Sequence, residues 1–152
     1  MREWRLGSAH APGRGRRTYA AGVPARLRPA TDDHVTAALS RRGEGTDPGD
    51  ERLLVRHFLA VLAERHPGAS VEVRVPPYAA VQCLGGARHT RGTPPAVVET
   101  DAETWVALAT GHLAWDDAVA GGLLVASGER SDLSALLPLR TGGPDAVSGA
   151  GQ

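Results

Sequence analysis

The stretch VQCLGGARHTRGTPP, residues 81–95, contains the only cysteine of the chain, Cys83, and a histidine, His89, six positions further on. A thiol and an imidazole within hydrogen-bond reach can act as nucleophile and base in covalent catalysis. Cys83, however, shares a predicted strand face with Val81, and burial in apolar surroundings raises the pKa of a thiol and leaves it unreactive. We therefore expect Cys83 to belong to the core or to a pocket wall, and we predict no catalytic residue.

The same stretch contains two arginines, Arg88 and Arg91, beside Gly92. Guanidinium groups suit the recognition of carboxylates and phosphates because they offer forked hydrogen-bond donors. The alternative is an ordinary solvated loop between two strands. The sequence leaves both interpretations open, with Arg88 and Arg91 as candidates for holding an acidic headgroup.

The histidines do not form a convincing metal site. They are far apart in sequence, and no two of them have the spacing of zinc ligands. His57 lies on a predicted helix, where a solvated side chain is the default expectation. We expect no metal and no cofactor; the histidines are His10, His34, His57, His66, His89 and His112.

The composition is that of a globular protein with a core of small aliphatic residues. Apolar residues make up 41% of the 152 residues, but only three Trp, two Tyr and one Phe are present. The net charge is zero and all 17 basic residues are arginines, a bias typical of GC-rich codon usage, so no specific nucleic-acid partner is expected. A single cysteine fits a reducing compartment, and no apolar run approaches the roughly 20 residues of a membrane span. These features predict a cytoplasmic protein.

Capping residues and apolar periodicity predict five helices. Thr31 is a candidate N-cap for a short helix that ends before Gly43, and Asp47 with Pro48 begins a longer one that ends at Pro67-Gly68. Asp101 is a candidate N-cap for a third helix, and HLAWDDAVAGG, residues 112–122, forms a fourth. Ser131 is a candidate cap for a last helix, DLSALLPL, ended by Pro138.

Four segments have the alternation of strands. They are SVEVRVPP, YAAVQCL, AVVET and LLVAS. The order of helices and strands predicts one α+β domain over residues 46–139. It would follow a disordered or weakly structured basic extension over residues 1–45 and precede a disordered tail over residues 140–152.

The spacing of aromatic residues, leucines and glycines in the second half of the chain resembles that of the sterol carrier protein family. With VEVRVPPYAAVQCLGGARHTRGTPPAVVETD it is most similar to the bacterial, largely actinobacterial, orthologues of that domain, over roughly residues 50–138. The residues that carry the resemblance are Asp101, Trp105, Leu108, Gly111, Trp115, Ala118, Gly122, Leu124 and Gly128.

The resemblance implies a mixed, mainly antiparallel sheet of four to five strands covered by helices, with an apolar cavity between the layers. Members of the family bind sterols, fatty acids or acyl chains and are not enzymes on their own. We therefore expect a non-enzymatic lipid carrier. The alternative is an accessory protein-interaction domain of the same fold, with a filled core and no lipid. The chain ends soon after Pro138, without the C-terminal extension and peroxisomal ending of eukaryotic members, which leaves the size of the cavity open.

An apolar ligand requires a largely apolar pocket. The candidates for lining it lie on the second strand, on the two helices after Asp101 and in the last predicted helix, although any small core would use the same residue types. They are Val81, Cys83, Trp105, Leu108, Trp115, Leu133 and Leu137.

Overall fold

The computed structural model describes residues 26–86 and 96–139. The first 25 residues, the stretch 87–95 and the tail from residue 140 lie outside the described residues. Arg88, His89 and Arg91 are therefore not described, and the headgroup contact expected of the two arginines stays a prediction.

The described chain forms four helices, four strands and one short 3-10 segment. The helices are α1 (Asp32–Arg42), α2 (Pro48–Arg65), α3 (Ala102–Thr110) and α4 (Trp115–Ala120). The strands are β1 (Val71–Val75), β2 (Ala79–Cys83), β3 (Ala96–Thr100) and β4 (Leu124–Ser127), and the 3-10 segment spans Ser134–Leu136.

Three of the four predicted N-cap residues, Thr31, Asp47 and Asp101, occupy the N-cap positions of α1, α2 and α3. The Asp47 carboxylate accepts the backbone N–H groups of Gly49 at 2.7 Å and Asp50 at 3.1 Å, at the start of α2. Asp101 accepts the backbone N–H of Thr104 at 2.8 Å, at the start of α3. Thr31 makes no capping hydrogen bond, because its hydroxyl lies 2.8 Å from the Nδ1 atom of His34. The prediction for Ser131 was wrong, because its hydroxyl donates to the Gly128 carbonyl at 2.9 Å and the 3-10 segment begins only at Ser134.

Two predicted helices are shorter than expected. Residues 112–114 precede α4 because the backbone N–H groups of His112 and Leu113 fold back onto the carbonyl of Ala107 and complete the end of α3. The last predicted helix is only the 3-10 segment. The backbone of Leu137 is extended, because a following proline sterically disfavours the helical conformation. The few residues between Ser131 and Leu137 are not enough to nucleate an α-helix.

The strands form a single mixed sheet in the order β2-β1-β3-β4. β1 and β2 pair antiparallel, with Val71 opposite Cys83, and β3 and β4 also pair antiparallel. The two central strands, β1 and β3, are parallel, with Val71 opposite Ala96. The predicted fold class, an α+β domain with a mixed, mainly antiparallel sheet, is confirmed.

The two faces of the sheet differ in chemistry, as period-two alternation requires. One face consists of buried apolar side chains, including Val71, Val73, Val75, Cys83 and Val98, and belongs to the same hydrophobic core as the helices. The central strands carry Glu72, Arg74 and Glu99 on the opposite face, where the Arg74 Nε–H group donates to the carboxylate of Glu72 at 2.6 Å. The core therefore lies between one face of the sheet and the helices.

The packed structure includes residues N-terminal to position 46. Val35 and Ala38 of α1 are buried in the hydrophobic core, and α1 packs against α2. The Arg41 guanidinium binds the Asp50 carboxylate through two hydrogen bonds, of 2.7 and 2.6 Å, at the surface where the two helices meet. The N-terminal segment from residue 26 thus contributes a helix to the domain.

Candidate functional site

The predicted pocket residues that the structure describes meet in one apolar cluster. Five are buried in the core, and two are partly buried and packed against it. They come from β2, α3, α4 and the segment around the 3-10 turn, so four separate parts of the sequence converge between the sheet and the helices. The buried members are Cys83, Trp105, Leu108, Trp115 and Leu133, and the partly buried ones are Val81 and Leu137.

Cys83 lies on the inner face of β2, the face that the sequence predicts it to share with Val81. Its side chain is fully buried, and desolvation raises the pKa of the thiol to about 11. At neutral pH the group is therefore protonated, and it behaves as a small apolar side chain. The possible partner in the sequence, His89, lies outside the described residues.

Trp105 is the largest fully buried side chain of the described chain, and its polar atom has no described partner. The residue is 0% exposed on the inner side of α3, yet its indole Nε1–H group makes no hydrogen bond to any residue in 26–86 or 96–139. An unpaired buried donor costs about 1–3 kcal/mol relative to a satisfied one. Trp105 therefore brings a hydrogen-bond donor into the apolar cluster.

His57 is a buried residue that sequence reasoning missed. The expectation of a solvated side chain was wrong, because His57 is only 4% exposed and its Nδ1 atom accepts the backbone N–H of Ala30 at 3.1 Å. Its Nε2 atom has no described partner. The position follows Leu54 by three residues and precedes Val61 by four, so helical spacing places it beside the apolar stripe of α2. That spacing could have indicated burial.

The comparison with known protein families decides the family of the chain. A family model described as Bacterial SCP ortholog matches residues 49–139, which include all the predicted pocket residues. The chain belongs to this family. The resemblance to the sterol carrier protein family is thereby confirmed, whereas a search of curated proteins finds no match.

The described part of this SCP domain also has a small depression at the start of α2. A depression with a cavity volume of about 10 Å³, room for roughly one water molecule, opens at the start of α2 beside Asp47, Asp50, Glu51 and Leu54. Within residues 26–86 and 96–139, no cluster of three or more His, Cys, Asp or Glu residues could hold a metal ion. No described helix is long and apolar enough to cross a membrane.

The burial of His57 predicts a pH-dependent stability of the domain. Desolvation lowers the pKa of His57 below its ordinary value of about 6.5; Arg65 lowers it further, whereas the charge of Asp32 opposes the shift. The unfolded chain therefore binds a proton at a higher pH than the folded one. Stability is at its full value above about pH 6.5 and falls as the pH drops from there towards the lowered pKa.

Urea unfolding at a series of pH values between 7.5 and 5, on the wild type and on His57→Gln, would measure this effect. The free energy of unfolding of the glutamine variant should fall less at acid pH than that of the wild type, because the glutamine side chain does not titrate. Identical slopes in the two proteins would show that other groups cause the pH dependence.

Proposed function

We propose that this SCP-family protein is a non-enzymatic carrier that binds a lipid, such as a fatty acid, an acyl derivative or a sterol-like molecule, between its sheet and its helices. One observation carries the proposal. The pocket candidates from β2, α3, α4 and the 3-10 region, separated by up to 56 positions in sequence (81 to 137), converge in a single apolar cluster in the region that a carrier of this fold would use.

Affinity in such a site would come from burial of the lipid's hydrocarbon. Each methylene group removed from water contributes about 0.8 kcal/mol, so a long acyl chain supplies more affinity than a short one. The segment after β4 contributes the buried side chain of Leu133 to the cluster, and its end is joined to α3 by the hydrogen bond from the Leu139 N–H to the Ala109 carbonyl, of 2.8 Å.

The chemistry of the cluster suits binding better than catalysis. The Cys83 thiol has a pKa of about 11 and is protonated at neutral pH, so it is a poor nucleophile. The free thiol also fits the reducing cytoplasm that the single-cysteine sequence predicts.

A second function is favoured by a different observation. Trp105, Leu108 and Leu133 are at most 1% exposed, which is also what a filled core would show. Three large apolar side chains on α4 and around the edge strand β4 are exposed instead, and they could contact a protein partner. These are Val119 (49%), Leu123 (45%) and Val125 (68%).

A fluorescent fatty acid, NBD-labelled dodecanoic acid, tests the carrier function. The wild type should bind it, and Leu137→Trp should weaken binding at least about tenfold, because a larger side chain at a partly buried position of the cluster occupies the space of the ligand. Leu123→Trp introduces the same side chain at an exposed position and should bind like the wild type. Thermal melts of both variants would confirm that they are folded.

Native mass spectrometry of the protein purified from its own host provides the second readout. A mass increment that disappears on denaturation would identify a bound lipid. The absence of both the increment and fluorescent fatty-acid binding would reject the carrier function. An equal loss of binding in Leu123→Trp and Leu137→Trp would instead place the ligand elsewhere.

A further inference from the structure

Two polar groups in the described core have no hydrogen-bond partner, although the other buried polar residues do. Thr100 donates its hydroxyl to the Leu123 carbonyl at 2.8 Å, and Thr104 donates to the Asp101 carboxylate at 2.9 Å. The Trp105 Nε1 and His57 Nε2 atoms remain without a described partner. Buried polar groups in native proteins are nearly always paired, so such orphans call for an explanation.

Both orphaned groups are hydrogen-bond donors. The indole nitrogen of Trp105 can only donate. In His57 the Nδ1 atom accepts the N–H of Ala30, and a ring nitrogen that accepts carries no proton, so the proton of the neutral ring is on Nε2. The two residues lie on α2 and α3, which pack against each other. The helical layer of the core therefore offers donors without acceptors.

The surroundings determine which acceptor would fit. The buried polar residues of the described chain are His57, Thr100 and Thr104, and none of them is a carboxylate, an arginine or a lysine. A carboxylate buried beside Trp105 would lose its hydration without gaining a positive partner among the buried residues that the structure describes, which is strongly unfavourable. A neutral oxygen, in a hydroxyl, ketone or ester group, loses much less on burial and accepts the indole N–H equally well.

We infer that the Trp105 indole N–H donates to a neutral oxygen on the buried part of the ligand, so that the protein selects neutral oxygenated lipids over free fatty acids. This inference rests on the proposed carrier function and narrows its ligand class to long-chain alcohols, esters and hydroxylated or ketonic polycyclic lipids. Trp105 acts as a specificity-determining binding residue, and the hydrocarbon of the ligand supplies the remaining affinity by burial.

Competition with the NBD-labelled fatty acid tests the inference. For the wild type, 1-dodecanol should displace the probe at lower concentration than dodecanoate of the same chain length. Trp105→Phe keeps an aromatic ring and removes the donor, and should weaken 1-dodecanol binding about 2- to 12-fold, the range of one neutral hydrogen bond, with dodecanoate little changed. Tyr78→Phe is the matched control, because it removes a hydroxyl that donates to Glu51 at 2.6 Å.

The indole N–H resonances of the wild-type protein give a readout that does not depend on any variant folding. In ¹H–¹⁵N spectra, the Trp105 indole proton should shift downfield on addition of 1-dodecanol, and its exchange with solvent should slow. Two results would overturn the inference and leave the carrier function intact. In the first, both dodecyl compounds bind without a shift of the Trp105 indole resonance. In the second, Trp105→Phe keeps the wild-type preference between 1-dodecanol and dodecanoate. Failure of every lipid to bind would overturn both.

Discussion

Replacing Gly68 with alanine is expected to lower the free energy of unfolding by at least about 3 kcal/mol, since two costs add. Gly68 has a φ of +152°, which side-chain-bearing residues rarely adopt. A β-carbon at this position would also overlap the backbone of Leu84 and the amide nitrogen of Gly85. Neither of these neighbours is the end of a flexible side chain, so the backbone itself would have to move.

The backbone around Gly68 has little freedom to move. The Leu84 N–H donates to the His66 carbonyl at 2.8 Å, and the Ser70 N–H donates to the Leu84 carbonyl at 3.0 Å. These bonds join the exit of α2 to the end of β2, so a shift that accommodates a β-carbon would break them. The substitution thereby acts on the junction between a helix and the sheet.

Gly45→Ala is a matched control for this prediction. Gly45 has nearly the same φ, +150°, but nothing lies within 4 Å of its would-be β-carbon. It should lose only the conformational part, about 1–3 kcal/mol. Urea unfolding followed by circular dichroism would measure both variants, and equal losses would show that the close approach at Leu84 does not constrain the fold.

Phe58→Ala is expected to destabilise the domain by about 3–5 kcal/mol. Phe58 is the only phenylalanine of the chain, is 1% exposed on α2, and packs edge-to-face on the ring of His57 with the ring centroids 4.9 Å apart. Truncation to alanine would remove most of this buried area and leave a cavity that rigid neighbours cannot fill. In a core with so few aromatic residues, a single ring makes a large contribution.

Val119→Ala provides the comparison, because Val119 lies on α4 and is 49% exposed. This substitution should change the free energy of unfolding by no more than about 0.5 kcal/mol. Chemical denaturation of the two variants under identical conditions would measure the difference. A loss of less than about 1 kcal/mol for Phe58→Ala would mean that the core around α2 is loosely packed.

Local rules predicted most of the secondary structure. The alternation in SVEVRVPP and YAAVQCL identified β1 and β2 together with their buried faces, and the caps Asp47 and Asp101 identified the starts of two helices. These features depend on contacts within a few residues, which a sequence displays directly. The prediction of a last α-helix was wrong because it also relied on local propensity. The stretch between Ser131 and Pro138 is too short to form an α-helix.

The order of strands in the sheet and the hydrogen bonding of the buried polar groups could not be predicted. Nothing in the sequences of β1 and β3 specifies that they pair in parallel at the centre, because that pairing arises from long-range packing. The ligand-lining role of Trp105 stays a prediction, and the lack of a partner for its N–H could not be predicted because it depends on every neighbour in space. The burial of His57 depends in the same way on the segment around Ala30.

The charged face of the sheet has a consequence for self-association. Two molecules that stacked these faces together would have to bury Glu72, Arg74 and Glu99, and desolvation of such groups costs more than their mutual attraction returns unless the geometry is ideal. Charge on the two central strands therefore disfavours face-to-face aggregation. Among the described residues, the large apolar side chains that are exposed lie on α4 and around the edge strand β4, at Val119, Leu123 and Val125, so these side chains are the apolar surface available for contact between copies.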